Sequence, residues 1–142
     1  MASVITGLIL SSVPSLGNVL KHEYAPEMGY CRAAGIYTVL LTVPFKVGRI
    51  VVLDTGKYRD FLNADTTALD AGTISIAVCI DETVYGLSAG DVADVAFLVN
   101  GAAIVRQGGL SVGTGTADVA TAVPYLVAAG IKVATKFASD VN

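Results

Sequence analysis

Residues 46–61 read KVGRIVVLDTGKYRDF. An apolar run, 50–53, meets the break Asp-Thr-Gly-Lys, and a half-polar run follows. Two strand-like runs flanking a glycine-bearing turn predict a β-hairpin, because glycine supplies the positive φ that a tight reversal needs. This reading sets the fold class, because the neighbouring segments have the same character. Residues 35–43, GIYTVLLTV, are dense in β-branched and aromatic side chains and stop before Pro44. Residues 73–80, TISIAVCI, form a short continuous apolar run of the kind found in strands buried on both faces.

Further along, 92–106 reads as a strand pair or one bent strand, with Asn100-Gly101 as a hairpin turn or a bulge. Residues 63–72 are loop-like, and 107–115, rich in glycine, read as a mobile loop. Residues 116–130 predict a helix, with Thr116 or Asp118 as its cap, Gly130 as its stop and Pro124 as an internal irregularity. A last strand follows over 131–138. The expected architecture is mainly β, a compact barrel or β-clip-like sandwich with one short C-terminal helix. Residues 1–34 are expected to form an N-terminal arm and lead-in, and 35–142 a single β-rich domain.

The chain has 142 residues, of which 54% are hydrophobic and 15% charged. An ordinary soluble domain is about 25% charged. No run reaches the roughly 20 apolar residues of a spanning helix, so the surplus apolar surface points to contacts between proteins. The N-terminus lacks a basic residue before Lys21, which favours an extended arm over a secretory signal. Val4, Ile5, Leu8, Ile9, Leu10 and Val13 are the expected anchors of that arm.

Net charge is −3 and unevenly spread. Residues 1–59 hold six basic and three acidic side chains, whereas 60–105 hold seven acidic and none basic. There is no dense basic stripe of the nucleic-acid-binding kind, so neither nucleic acid nor membrane is an expected partner. The asymmetry suits contacts between copies, with Arg49 and Arg59 opposite Asp91 and Asp94. Two solvated faces would give the same pattern.

Chemistry has few candidates. His22 is the only histidine and lies in an irregular segment. Cys31 and Cys79 lack metal or redox spacing, and Cys79 reads as a buried small hydrophobe. Asp81 and Glu82 would point to opposite faces of a strand. Gly108 and Gly113 have P-loop spacing, but Thr114 and Gly115 stand where lysine and Ser/Thr belong. No metal or cofactor is implied, and the chain is not expected to be an enzyme.

Two resemblances bear on function. VVLDTGKYRD resembles a motif of the trimeric deoxyuridine triphosphatases, in which an aspartate, a glycine and a Tyr-Arg pair line the uracil pocket. That resemblance implies that Asp54 activates water. It covers about ten residues, Lys57 interrupts the glycine–tyrosine pair, and the family's Arg-Ser-Ser phosphate motif is missing.

The second resemblance spans roughly residues 18 to 110. Val47-Gly48, the strand 51–53, the turn 55–58, the run 77–82 ending in an acidic pair, and 98–105 follow in the order seen in the lambda-type head decoration proteins of tailed bacteriophages. The chain departs from that pattern in its longer apolar N-terminus and in Asn100, where a basic residue is more usual. The resemblance implies a homotrimer on the outer surface of an assembled virion, made in the host cytoplasm. It also implies an arm that reaches onto the major capsid protein and a function of cementing the shell.

Overall fold

The computed structural model describes residues 16–39, 46–84, 89–113 and 116–135. The expected arm anchors Val4 to Val13, Pro44 and the end of the last strand lie outside these.

Eight strands are described: β1 (Leu20–Glu23), β2 (Arg32–Val39), β3 (Ile50–Asp54), β4 (Lys57–Asp60), β5 (Ser75–Cys79), β6 (Gly90–Leu98), β7 (Ala103–Arg106) and β8 (Ile131–Ala134). Five close into a barrel in the order β2-β4-β3-β5-β6, and the other three form a sheet in the order β1-β7-β8. The chain is mainly β, as the sequence predicts, and the barrel is closed.

The opening hairpin is confirmed residue by residue. β3 and β4 pair antiparallel with Asp54 opposite Lys57. Thr55 and Gly56 make the reversal at φ 51° and 84°. Positive φ at both central positions defines a type I′ turn, whose twist matches the flanking strands.

Alternation along β3 and β5 explains their unbroken apolar runs. Val51, Ala77 and Cys79 join Tyr37, Val39, Tyr58, Val95 and Phe97 in the barrel interior. Ile50, Val52, Ile76 and Val78 face the other way, into a second core. The wall built by these two strands is therefore apolar on both sides. The second core also takes Val19, Ala103, Val105 and Ile131 from the three-stranded sheet, and Ala122 and Leu126 from helix α2 (Val119–Ala128).

Four expectations are corrected. Residues 92–106 are two strands, but they do not form a hairpin: β6 belongs to the barrel and β7 to the second sheet. The chain crosses between them at Gly101, where an added Cβ would lie 1.8 Å from the Gly130 carbonyl oxygen. Residues 63–72 are not a loop, since a 3-10 turn (Asn63–Asp65) runs into helix α1 (Thr66–Ala71). Residues 107–113 are packed, with Leu110 buried and the Ser111 carbonyl accepting the Ile50 N–H at 2.9 Å. The division at residue 34 also moves, because β1 pairs with β7 and both Val19 and Cys31 are buried, so the domain includes the chain from Leu16 onward.

Candidate functional site

β4 alternates, so Tyr58 and Asp60 point into the barrel while Lys57 and Arg59 point out. Tyr58 stacks on Phe97 with centroids 3.9 Å apart. The Tyr-Arg pair is thus split between two faces and cannot line one surface pocket.

Outside the barrel, Arg59 holds two carboxylates. Its Nη1 donates to Asp65 Oδ2 at 2.9 Å and its Nη2 to Asp65 Oδ1 at 2.8 Å, a bidentate pair. The same Nη2 donates to Asp54 Oδ2 at 3.1 Å. Burial alone would push the Asp65 carboxyl up. Arg59 and the Leu62 N–H outweigh that and hold it below the usual carboxylate range. Lys57 Nζ lies 2.6 Å from Asp91 Oδ2, and Thr38 donates to the other oxygen at 2.8 Å. Lys57 and Thr38 together lower the Asp91 carboxyl. Thr38, Asp54, Thr55, Lys57 and Arg59 line a shallow depression of about 230 Å³. Here the sequence-singled Asp54, Arg59 and Asp91 come close together. Asp94 lies apart on exposed β6 backbone at φ 59°.

Arg49 belongs elsewhere. Its side chain has 0% exposure, and its Nη1 lies 3.2 Å from both oxygens of Asp60. Tyr37 donates to Asp60 Oδ1 at 2.5 Å. Burial first, and Asp60 second, push the Tyr37 phenol well above its ordinary range, so it remains a donor. This corrects the expectation of Arg49 at a contact between copies: its charge is satisfied inside its own chain. The sequence signal for the buried triad is faint, being one arginine set in the apolar run 47–53.

His22 is exposed on β1, away from these groups. Both cysteines are buried and free. Asp81 is held below the usual carboxylate range, since burial that would raise it is outweighed by the Thr83 hydroxyl and the Thr83 and Ala96 N–H groups. Among the described residues, no three His, Cys, Asp or Glu side chains gather as a metal would require, and no helix is long and apolar enough to cross a membrane.

A third feature escaped the sequence reading. The loop between β1 and β2 exposes Tyr24 (56%), Met28 (80%) and Tyr30 (59%). The two tyrosines meet edge to face at 5.2 Å. The loop is braced rather than loose. Tyr24 N–H donates to the Ala102 carbonyl at 2.7 Å, and Gly29 N–H to the Pro26 carbonyl at 3.1 Å. Arg32 clamps Glu23 across the loop's base, and that hydrogen bond is the largest influence raising the guanidinium's pKa. Tyr and Met side chains presented to solvent on a braced loop have the composition of a protein-contact surface. Their only advance sign in the sequence was the surplus of apolar residues.

Comparison with protein-family models, with curated proteins and with solved structures found no match to this chain.

Proposed function

We propose that this chain is a structural capsid protein. In this reading it binds the outer surface of an assembled phage head as a homotrimer, and its N-terminal arm lies on the major capsid protein. The observation that carries this is the braced, solvent-facing loop of Tyr24, Met28 and Tyr30 on a rigid barrel end. It offers a second protein a preformed apolar surface, with little ordering cost on binding. The order of segments that resembles the lambda-type decoration proteins adds support; in this chain those segments form β3, β4, β5 and the β6–β7 crossover.

The mechanism is linkage. A protein that binds the closed shell and not its separated subunits stabilises the shell by mass action, by about 2.7 kcal/mol per site at 100 times the dissociation constant. Backbone pairing of an extended arm with a capsid strand would supply affinity by strand addition. The test is to mix the protein with undecorated heads, image them by electron microscopy, and heat them. Decorated heads with raised thermal stability are expected, and loss of both in a chain lacking residues 2–13. Heads that bind no protein would reject the reading.

A further inference from the structure

The barrel wall has a gap, and the strand pairing explains it. β5 stays paired with β3 as far as Ser75↔Leu53, but its pairing with β6 stops at Val78↔Leu98. Beyond that point the chain leaves for the second sheet, and the Val99 N–H donates instead to the Cys31 carbonyl at 2.8 Å. Among the described residues, 75–77 have no strand beside them on that side. A cavity of about 280 Å³ opens there, walled by Ala33, Leu53, Ala77 and Val99, with Tyr58 and Ser75 contributing hydroxyls.

Tyr58 is the unusual member of this wall. It is 5% exposed, and its ring is fixed. The ring stacks on Phe97 and passes over Gly35, where an added Cβ would lie 2.7 Å from Tyr58 Cε2. Tyr37, the other tyrosine of the barrel interior, donates to Asp60. The Tyr58 hydroxyl makes no hydrogen bond with any described residue, yet it is not sealed in as the unpaired Ser111 hydroxyl is. It therefore opens onto the cavity that its side chain lines. Burial raises its pKa, so it stays protonated and offers a donor. A buried hydroxyl without a partner is costly, and this one is held ready for an acceptor.

We propose that the gap is a binding site for a neutral small molecule of about one ring, apolar in body and carrying a carbonyl oxygen that accepts the Tyr58 O–H. The volume sets the size. A dry cavity of about 150 Å³ holds benzene, so this one takes roughly ten non-hydrogen atoms. The wall sets the charge. No charged side chain lines the cavity among the described residues, and burying an unpaired charge there is prohibitive. The single fixed donor sets the polar group. A ligand this small binds with a dissociation constant of about 0.1–1 mM.

The proposal does not depend on the capsid reading, and the test uses the free full-length chain. Acetophenone is titrated against the ¹⁵N-labelled protein and followed by NMR. Isopropylbenzene, of the same shape without the oxygen, and benzoate, of similar size but charged, are titrated in parallel. Acetophenone should shift the Ala33, Ser75, Ala77 and Val99 amides saturably, and benzoate should not. Tyr58→Phe keeps the ring and its stack. It should weaken acetophenone about tenfold, the loss of one hydrogen bond to a buried carbonyl, and leave isopropylbenzene within about twofold. Ala33→Leu, which fills the cavity from β2, should abolish binding of both.

Three results would overturn the proposal. One is the absence of a saturable shift at about ten times the expected dissociation constant, which would leave the cavity to water. Another is equal acetophenone affinity in the wild type and Tyr58→Phe. The third is binding that survives Ala33→Leu, which would put the ligand elsewhere. Should Tyr58→Phe lose its fold, the Ala33→Leu and benzoate comparisons decide.

Discussion

Arg49 and Asp60 form an ion pair that water does not reach: Nη1 stands 3.2 Å from both carboxylate oxygens, and the two side chains are 0% and 4% exposed. Such a pair adds little net stability over an apolar substitute, but removing one partner strands the other charge in a medium that cannot solvate it. Asp60→Ala should therefore cost about 3–5 kcal/mol, measured by urea denaturation. A loss under 1 kcal/mol would mean that water reaches the guanidinium.

The same pair shows what was legible beforehand. The division into a basic N-terminal part and an acidic middle part is real, and the structure uses it. Arg49 meets Asp60, Arg59 meets Asp65, and Lys57 meets Asp91, each a cation from the first part against an anion from the second. Charge counts along a chain carry sign but not address, so pairing within one copy and between two looks identical. The hairpin was legible because Asp-Thr-Gly-Lys is a local signal and turn chemistry is decided within four residues. The β6–β7 break was not, because Asn100-Gly101 looks the same whether the next strand turns back or leaves for another sheet. Helix α1 was hidden by its length of six residues, too short for a periodic pattern. The exposed loop was hidden because Tyr and Met read as core in any sequence.

The hairpin turn itself is open to improvement. Thr55 sits at φ 51°, where a β-branched residue is disfavoured and asparagine is enriched. Thr55→Asn should raise stability by about 1 kcal/mol in thermal unfolding, chiefly through local backbone preference. A neutral or negative result would show that the Thr55 hydroxyl bond to the Asp54 carbonyl, 2.7 Å, outweighs the strain.

Acid should weaken the fold in a defined way. Asp65 and Asp81 both have folded pKa values below their unfolded ones. A depressed carboxyl contributes stability above its unfolded pKa, and that contribution is lost as pH falls through the folded value. Unfolding free energy should therefore be level above about pH 5 and decline below about pH 4. Asp65→Asn should lower the plateau and flatten the acid limb, because the bidentate partner of Arg59 no longer titrates. An acid limb of unchanged slope would assign the effect to other carboxyls.

Gly113 closes over the buried triad. A Cβ added there would lie 1.9 Å from Asp60 Oδ2 and 2.9 Å from Arg49 Nη1. Neither group can move aside without losing its partner, so Gly113→Ala should cost about 1–3 kcal/mol, as overpacked cores do. The control is Gly108→Ala, whose Cβ would meet nothing closer than 4.0 Å. Equal losses at the two sites would mean that something other than the close approach to Asp60 makes glycine necessary.

Cys79 tests whether the barrel interior is dry. It is 0% exposed, its N–H and carbonyl are tied to Arg49 and Gly48, and its thiol reaches the Asp81 carbonyl at 3.8 Å. Burial pushes the thiol up to about 12. The thiolate is the reactive form, so iodoacetamide at pH 8 should leave native Cys79 unlabelled and react only as fast as the barrel opens. The sign for stability follows from the raised value. The folded state keeps its proton where the unfolded thiol, at about 8.5, has lost its own. This contribution is complete below about pH 8.5 and disappears as pH climbs towards 12. Cys79→Ala should make the alkaline limb shallower than wild type. Rapid labelling of the native protein at pH 8 would show water inside the barrel, and a Cys79→Ala limb as steep as wild type would place the alkaline loss on another group.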